Sequence, residues 1–161
     1  MSIPVLSTKL HIPRARANGV SRPRLTEKLL ASMKQTGNCA LLSGPAGFGK
    51  TTLLSDFVAE LQQRVAWVSL DEADNDPIRF WTYLITACQS VKREIGQAAL
   101  ALLQTPQPFS DERVPIILIN DVDKSDADLV LVLDDYHTVQ NQTIHSALAF
   151  YWIISPTIYI L

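Results

Sequence analysis

A chain of 161 residues with 47% apolar content is long enough to bury one hydrophobic core and too apolar to belong to the disordered class. Its formal net charge of -2 and pI near 5.9 exclude a general attraction for polyanions, so nucleic-acid binding would need a local patch. The two cysteines, Cys39 and Cys88, lack CxxC or His/Cys ligand spacing, which argues against a zinc site or a bridge and fits buried thiols in a reducing cytoplasm.

The opening MSIPVLSTKLHIPRAR has no continuous apolar run behind a charged region and is not a secretory signal. Lys9, Arg14, Arg16, Arg22 and Arg24 stand among prolines there, so residues 1–24 read as a basic, extended arm leading into a core at 25–161. Residues 25–34 suit a helix. CALLS at 39–43 is a short apolar run between glycines, the pattern of a buried strand. Beyond a glycine-rich turn, residues 50–63 place Leu53, Leu54, Phe57, Val58 and Leu61 at helical spacing, and VAWVSL at 65–70 is a second strand.

Asp76 then offers an N-cap with Pro77 at the first helical position, and Phe80, Trp81, Leu84, Ile85 and Cys88 continue one apolar face. Residues 94–103 read as a helix. Residues 111–121 read as a weaker one with Pro115 in its first turn. LVLVLD at 129–134 is an uninterrupted apolar strand, as expected for a strand covered on both faces. From residue 136 to 161 there is no Lys, Arg, Asp or Glu. That stretch is still broken by Ser155, Pro156 and Thr157, so it predicts a helix ending near Ser155 and a short strand after Pro156 rather than a membrane span. Strands alternating with helices predict an α/β fold, a parallel, doubly wound sheet of about four strands.

The chemistry is concentrated in GPAGFGKTT at 44–52, a full match to GxxxxGK[ST] placed between a predicted strand and a predicted helix. A phosphate group can approach main-chain amides closely only where side chains are out of the way, which accounts for Gly44, Gly47 and Gly49. Pro45, Ala46 and Phe48 complete the loop, and the helix start adds oriented N–H donors. Lys50 is expected to reach the β- and γ-phosphates, Thr51 to ligate the magnesium that bridges them, and Thr52 to lie near the α-phosphate. A phosphate loop of this kind needs an acidic residue at the carboxyl end of a neighbouring strand, and LVLVLDD supplies two. Asp134 is expected to hold magnesium, directly or through water, and Asp135 to orient or deprotonate an attacking water. His137 is a further candidate for a γ-phosphate contact, against the commoner role of a structural histidine.

Other clusters carry less. NDVDKSDADLV and DEADND both put aspartate where a calcium loop needs glycine. Asp71 and Glu72 fit a solvated helix-start loop better than a nucleotide contact. Trp67, Phe80, Trp81 and Tyr83 fit the core better than an adenine-stacking platform.

Four blocks in order, LSTKLHIPRARANGVSRPRL, LLSGPAGFGKTTLLSDFV, VAWVSLDEADNDPIRFWTYLITA and LVLVLDDYHTV, resemble the N-terminal ATPase module of the MalT-like large LuxR-family transcriptional regulators, which are STAND P-loop NTPases. The resemblance spans roughly residues 5–150. It implies an ATP/ADP-binding switch. Resting proteins of the family hold ADP, exchange it for ATP and multimerise when an inducer binds a downstream helical-repeat sensor, and act through a C-terminal helix-turn-helix. Residue by residue it implies the loop at 44–52, the Asp134 and Asp135 pair, and a place for Arg22 and Arg24 on the adenine side of the pocket.

The chain departs from the family pattern at YWIISPTIYIL, where the family continues into a strand ending in an arginine near the γ-phosphate. The expectation is therefore a truncated product, cytoplasmic, that binds nucleotide weakly and hydrolyses it slowly or not at all. Self-association or association with full-length relatives is expected, and direct DNA or membrane binding is not. The rival readings are a small self-contained P-loop ATPase or kinase, and a non-catalytic interaction module.

Overall fold

The computed structural model describes residues 3–14, 18–36, 40–109, 112–154 and 158–160, without the side chains of 34–36, 152–154 and 158–160. Helix α1 (Pro23–Thr36) precedes the glycine-rich loop, and α2 (Lys50–Glu60) follows it directly. Strand β1 (Arg64–Ser69) leads through a 3-10 turn, Glu72–Asn75, into α3 (Pro77–Val91). Then come α4 (Gln97–Leu103), α5 (Arg113–Ser125), β2 (Leu129–Asp134), a 3-10 turn at Tyr136–Thr138, α6 (Gln142–Ile154) and β3 (Ile158–Ile160).

The three strands form one parallel sheet in the order β1-β2-β3, with Ser69 beside Asp134 and Leu131 beside Ile160. Every residue of β2 is buried, and the period-2 geometry of a strand divides them between two cores. Leu129, Leu131 and Leu133 pack with Ala66, Val68 and α3, α5 and α6 on one face. Val130 and Val132 pack with Trp67, Leu29, Met33 and α2 on the other. Helices on both faces of a parallel sheet make this a doubly wound α/β arrangement, as the alternating pattern requires. Its central strand is the one that carries Asp134. Trp67, Phe80, Trp81 and Tyr83 are all buried core side chains, and Cys88 is a free thiol that burial pushes up to about 12.

Two local signals are realised closely. The Asp76 side chain accepts from the Arg79 amide and Pro77 opens α3. Asp71 caps the 72–75 turn in a capping box with Asp74, which is the helix-start role expected of that acidic loop. α4 begins later than the sequence pattern because Gly96 is left-handed, φ 73°. A Cβ at Gly96 would lie 2.6 Å from Ile85 Cγ2, so glycine is needed there for space as well as for backbone freedom.

One prediction fails. Residues 40–43 are not a strand, and the described residues contain three strands rather than about four; Cys39 lies outside the described residues. Both edges of β2 are taken, by β1 and by β3, so an apolar run with strand-like composition has no edge of the central strand to join. Leu41 is accordingly 78% exposed. Pro156, the predicted break between α6 and the last strand, also lies outside the described residues, although α6 and β3 fall on either side of it. No helix among the described residues is long and apolar enough to cross a membrane.

The amino-terminal segment is more structured than its composition suggests. Ser7–Leu10 forms a 3-10 turn that packs against β1, and Lys9 is buried between Asp71 and Asp74, over the Tyr83 ring. The Leu6 amide donates to Tyr83 Oη at 3.1 Å.

Candidate functional site

The loop between α1 and α2 takes its shape from two glycines. Gly47 and Gly49 both lie in the left-handed region, φ 82° and 72°, where a side chain would be strained. Gly49 is the N-cap of α2, and the Leu53 amide is the first to find an acceptor within the helix, the Gly49 carbonyl at 2.9 Å. The preceding amides at the helix start have no intrahelical partner. They form a donor array with the favourable end of the helix dipole behind it, suited to an anion.

Lys50 folds back over the loop, its Nζ donating to the Gly44 carbonyl at 2.6 Å and the Pro45 carbonyl at 3.3 Å. An ammonium bonded to two exposed loop carbonyls is held by neutral acceptors, which bind it less strongly than charged oxygens would. One residue on, Thr51 Oγ1 lies 3.0 Å from each carboxylate oxygen of Asp134. The hydroxyl on α2 and the carboxylate at the end of β2 therefore meet across the mouth of the loop. Asp134 is 5% exposed. Burial pushes its carboxyl above its ordinary pKa against the Thr51 hydrogen bond, and the neighbouring Asp135 charge pushes the same way.

These groups line one cavity of about 860 Å³, together with Ala40, Leu41, Leu42, Ser43, Leu54, Leu133, Asp135, Tyr136, His137 and Leu148. Asp135 is exposed, in the left-handed conformation (φ 58°) that aspartate tolerates better than most side chains. His137 Nδ1 is 3.9 Å from its carboxylate. The Tyr136 hydroxyl, pushed up to about 12 by burial, is bonded to His145 Nδ1 at 2.5 Å.

Of the residues singled out from the sequence, Gly44, Ala46, Gly47, Gly49, Lys50, Thr51, Thr52, Asp134 and Asp135 converge on this cavity, and Pro45 and Phe48 do not line it. Arg22 lies against the loop's outer side, Nη1 donating to the Phe48 carbonyl at 2.8 Å, and Arg24 is exposed in the first turn of α1; neither lines the cavity. Sequence reasoning overlooked Tyr136 and His145, nine residues apart, whose contact depends on how α6 packs. It also overlooked Asn75, whose only signal was its place in the NDP string.

A hydroxyl and a carboxylate are hard oxygen donors of the kind magnesium takes. Among the described residues no group of three or more His, Cys, Asp or Glu could hold a metal. The donor set fits an ion that draws its remaining ligands from phosphate and water, and not a resident metal in a protein cage. The cavity has the size of a small-molecule site.

The family described as "AAA ATPase domain" matches residues 21–150. The chain belongs to this family. It is 38% identical over 149 residues to the HTH-type transcriptional regulator MalT of Yersinia enterocolitica, and 37% identical over 147 residues to the protein of the same name from Yersinia pestis strain Pestoides F. Each alignment covers 91% of this chain and 16% of the relative, so the chain spans about a sixth of the length of those regulators. It is a MalT-like ATPase module. The match takes in the loop at 44–52, Asp134 and α6 up to residue 150.

Proposed function

We propose that this module is an ATP/ADP-binding switch of a MalT-like transcriptional regulator, working in the cytoplasm, with ATP hydrolysis slow or absent in this chain. The observation that carries the reading is the meeting of Thr51 and Asp134, 3.0 Å apart, beside a lysine bonded to two loop carbonyls. In this reading the amides at the start of α2 and the left-handed turn at Gly47 and Gly49 wrap the phosphates. Lys50 exchanges its two carbonyl acceptors for phosphate oxygens. Thr51 and Asp134 would hold magnesium, which would supply positive charge against the phosphate oxygens.

Asp135 and His137, exposed and lining the cavity, are read as the groups that meet the terminal phosphate or a water beside it. Among the described residues that line the cavity the only lysine or arginine is Lys50. An arginine clamp on the γ-phosphate is worth about 10³ to 10⁵ in rate, which supports nucleotide binding as the main activity and hydrolysis as a minor one. Arg22, bonded to the loop at Phe48, is read as supporting the loop from outside, with Arg24 on the same segment. The MalT relatives are transcriptional regulators by name, and the resemblance implies that the nucleotide state is passed on through association with other copies.

Asp134→Asn tests the reading. The amide oxygen still accepts from Thr51 but carries no charge, so ATP affinity should lose its magnesium dependence, roughly tenfold or more. Asp134 has a raised folded-state pKa, so in the free protein its ionisation costs stability as pH rises through that value. The variant should therefore melt at or above the wild-type temperature at neutral pH. Calorimetric titration with and without magnesium, plus a thermal melt, measures both; unchanged magnesium dependence would count against the site.

A further inference from the structure

Asn75 joins two parts of the molecule that the sequence keeps 63 to 66 residues apart. Its Oδ1 accepts from the Gln140 amide at 2.6 Å and the Asn141 amide at 3.0 Å. Its Nδ2 donates to the Thr138 carbonyl at 2.9 Å and the Glu72 carbonyl at 3.0 Å. An asparagine amide has two donor hydrogens and two acceptor lone pairs, and here all four are used. The Asn141 Nδ2 returns the bond, donating to the Asn75 carbonyl at 2.8 Å, while its Oδ1 accepts from the Thr143 amide at the start of α6. A clasp of four hydrogen bonds fixes the 72–75 turn to the segment running from the cavity rim into α6.

The rim depends on that segment. Both the Thr138 amide and the Thr138 hydroxyl donate to the Asp135 carbonyl, at 3.0 and 2.9 Å, and Asp135 is held in the left-handed conformation. The path runs from Asn75 through the Thr138 main chain to Asp135, with Tyr136 and His137 on the turn between. The turn that carries Asn75 is anchored in its own right, because Asp74 is fully buried and bonded to Lys9, Arg79 and the Asp71 amide.

We infer that Asn75 is the positioning residue that sets Asp135 and His137 at the terminal-phosphate end of the cavity, and through them the preference for a nucleoside triphosphate over a diphosphate. The inference rests on the nucleotide-site reading above and adds which contact reads the third phosphate. ATP and ADP share the loop, Lys50 and the Thr51 and Asp134 pair. Only the triphosphate extends to the rim that Asn75 holds.

Asn75→Asp separates the bonds, because the carboxylate keeps the two accepted amides of Gln140 and Asn141 and loses the donors to Thr138 and Glu72. Affinities of the wild-type and variant chains for Mg-ATP and Mg-ADP should show the ATP-over-ADP ratio falling by about three- to tenfold, the loss of roughly one hydrogen bond's worth of alignment. Amide exchange should quicken at Thr138 and Val139 and stay unchanged in α2 and β1. Should the aspartate variant not fold, Thr138→Val removes the hydroxyl's bond to the Asp135 carbonyl, keeps the amide's, and should lower the ratio in the same direction. A wild-type chain that binds ATP and ADP alike, or a variant that keeps the wild-type ratio, overturns the inference and leaves the nucleotide site standing. Equal weakening of both nucleotides with faster exchange across the sheet marks a merely structural asparagine and also overturns it. A wild-type chain that binds neither nucleotide removes the site and the inference together.

Discussion

Lys50→Ala is expected to lower ATP affinity by about 10² to 10⁴-fold while leaving the fold intact. A bound triphosphate offers the ammonium two charge-assisted hydrogen bonds, each worth about 1.5 to 3 kcal/mol, and alanine forfeits both. Among the described residues the same nitrogen is bonded to the Gly44 and Pro45 carbonyls of an exposed loop, which water satisfies when the lysine is gone. The stability cost should therefore stay near or below about 1 kcal/mol. Binding and melting are thus expected to part company, and calorimetry alongside a thermal melt measures the two. Retained affinity in the alanine variant would contradict the assignment of Lys50 to the phosphates.

Lys9→Met is expected to destabilise the chain by about 2 to 3 kcal/mol with little change at the cavity. The lysine stem is matched by methionine, so the change isolates the charge. Asp74 has no exposed side-chain surface, and removing one of its two cationic partners strands much of a buried negative charge. Arg79, whose Nε stays 3.1 Å from the other oxygen, keeps the penalty at or below the low end of the 3 to 5 kcal/mol typical of a broken buried pair. For a domain of this size the loss corresponds to a melting temperature roughly 4 to 12 °C lower. The pH dependence follows from Asp71, which the Lys9 hydrogen bond holds below its ordinary pKa. A depressed folded-state pKa contributes stability that is complete above the unfolded value and disappears as pH falls through the folded one. The acid loss of stability should be shallower in the methionine variant. A variant that melts with the wild type would mean that the amino-terminal turn is not docked in solution.

The parts of this molecule that were legible beforehand are those whose chemistry is local. The loop proposed to wrap phosphate has glycine where φ is positive, at Gly47 and Gly49, and a lysine and a hydroxyl at the start of the next helix. Such features are written in consecutive residues. β2 was legible because a strand covered on both faces is apolar throughout, and Asp134 stood out as the charge that ends it. The run at 39–43 has the same composition, but a strand also needs a partner edge, and composition does not say that β1 and β3 already occupy both sides of β2. Lys9 was read as part of a solvated arm because its two aspartate partners lie 62 and 65 residues away. Asn75 was hidden for the same reason, since an asparagine before a helix cap is unremarkable until the 138–141 segment is brought against it.

The central claim is that the cavity between α2 and the end of β2 is a nucleoside triphosphate site completed by magnesium. Titration of the wild-type chain with ATP, in magnesium and then in chelator, addresses it most directly. The account predicts saturable binding at one site per chain, tightened by magnesium about tenfold or more. Heats of dilution alone, or binding indifferent to the cation, would contradict it.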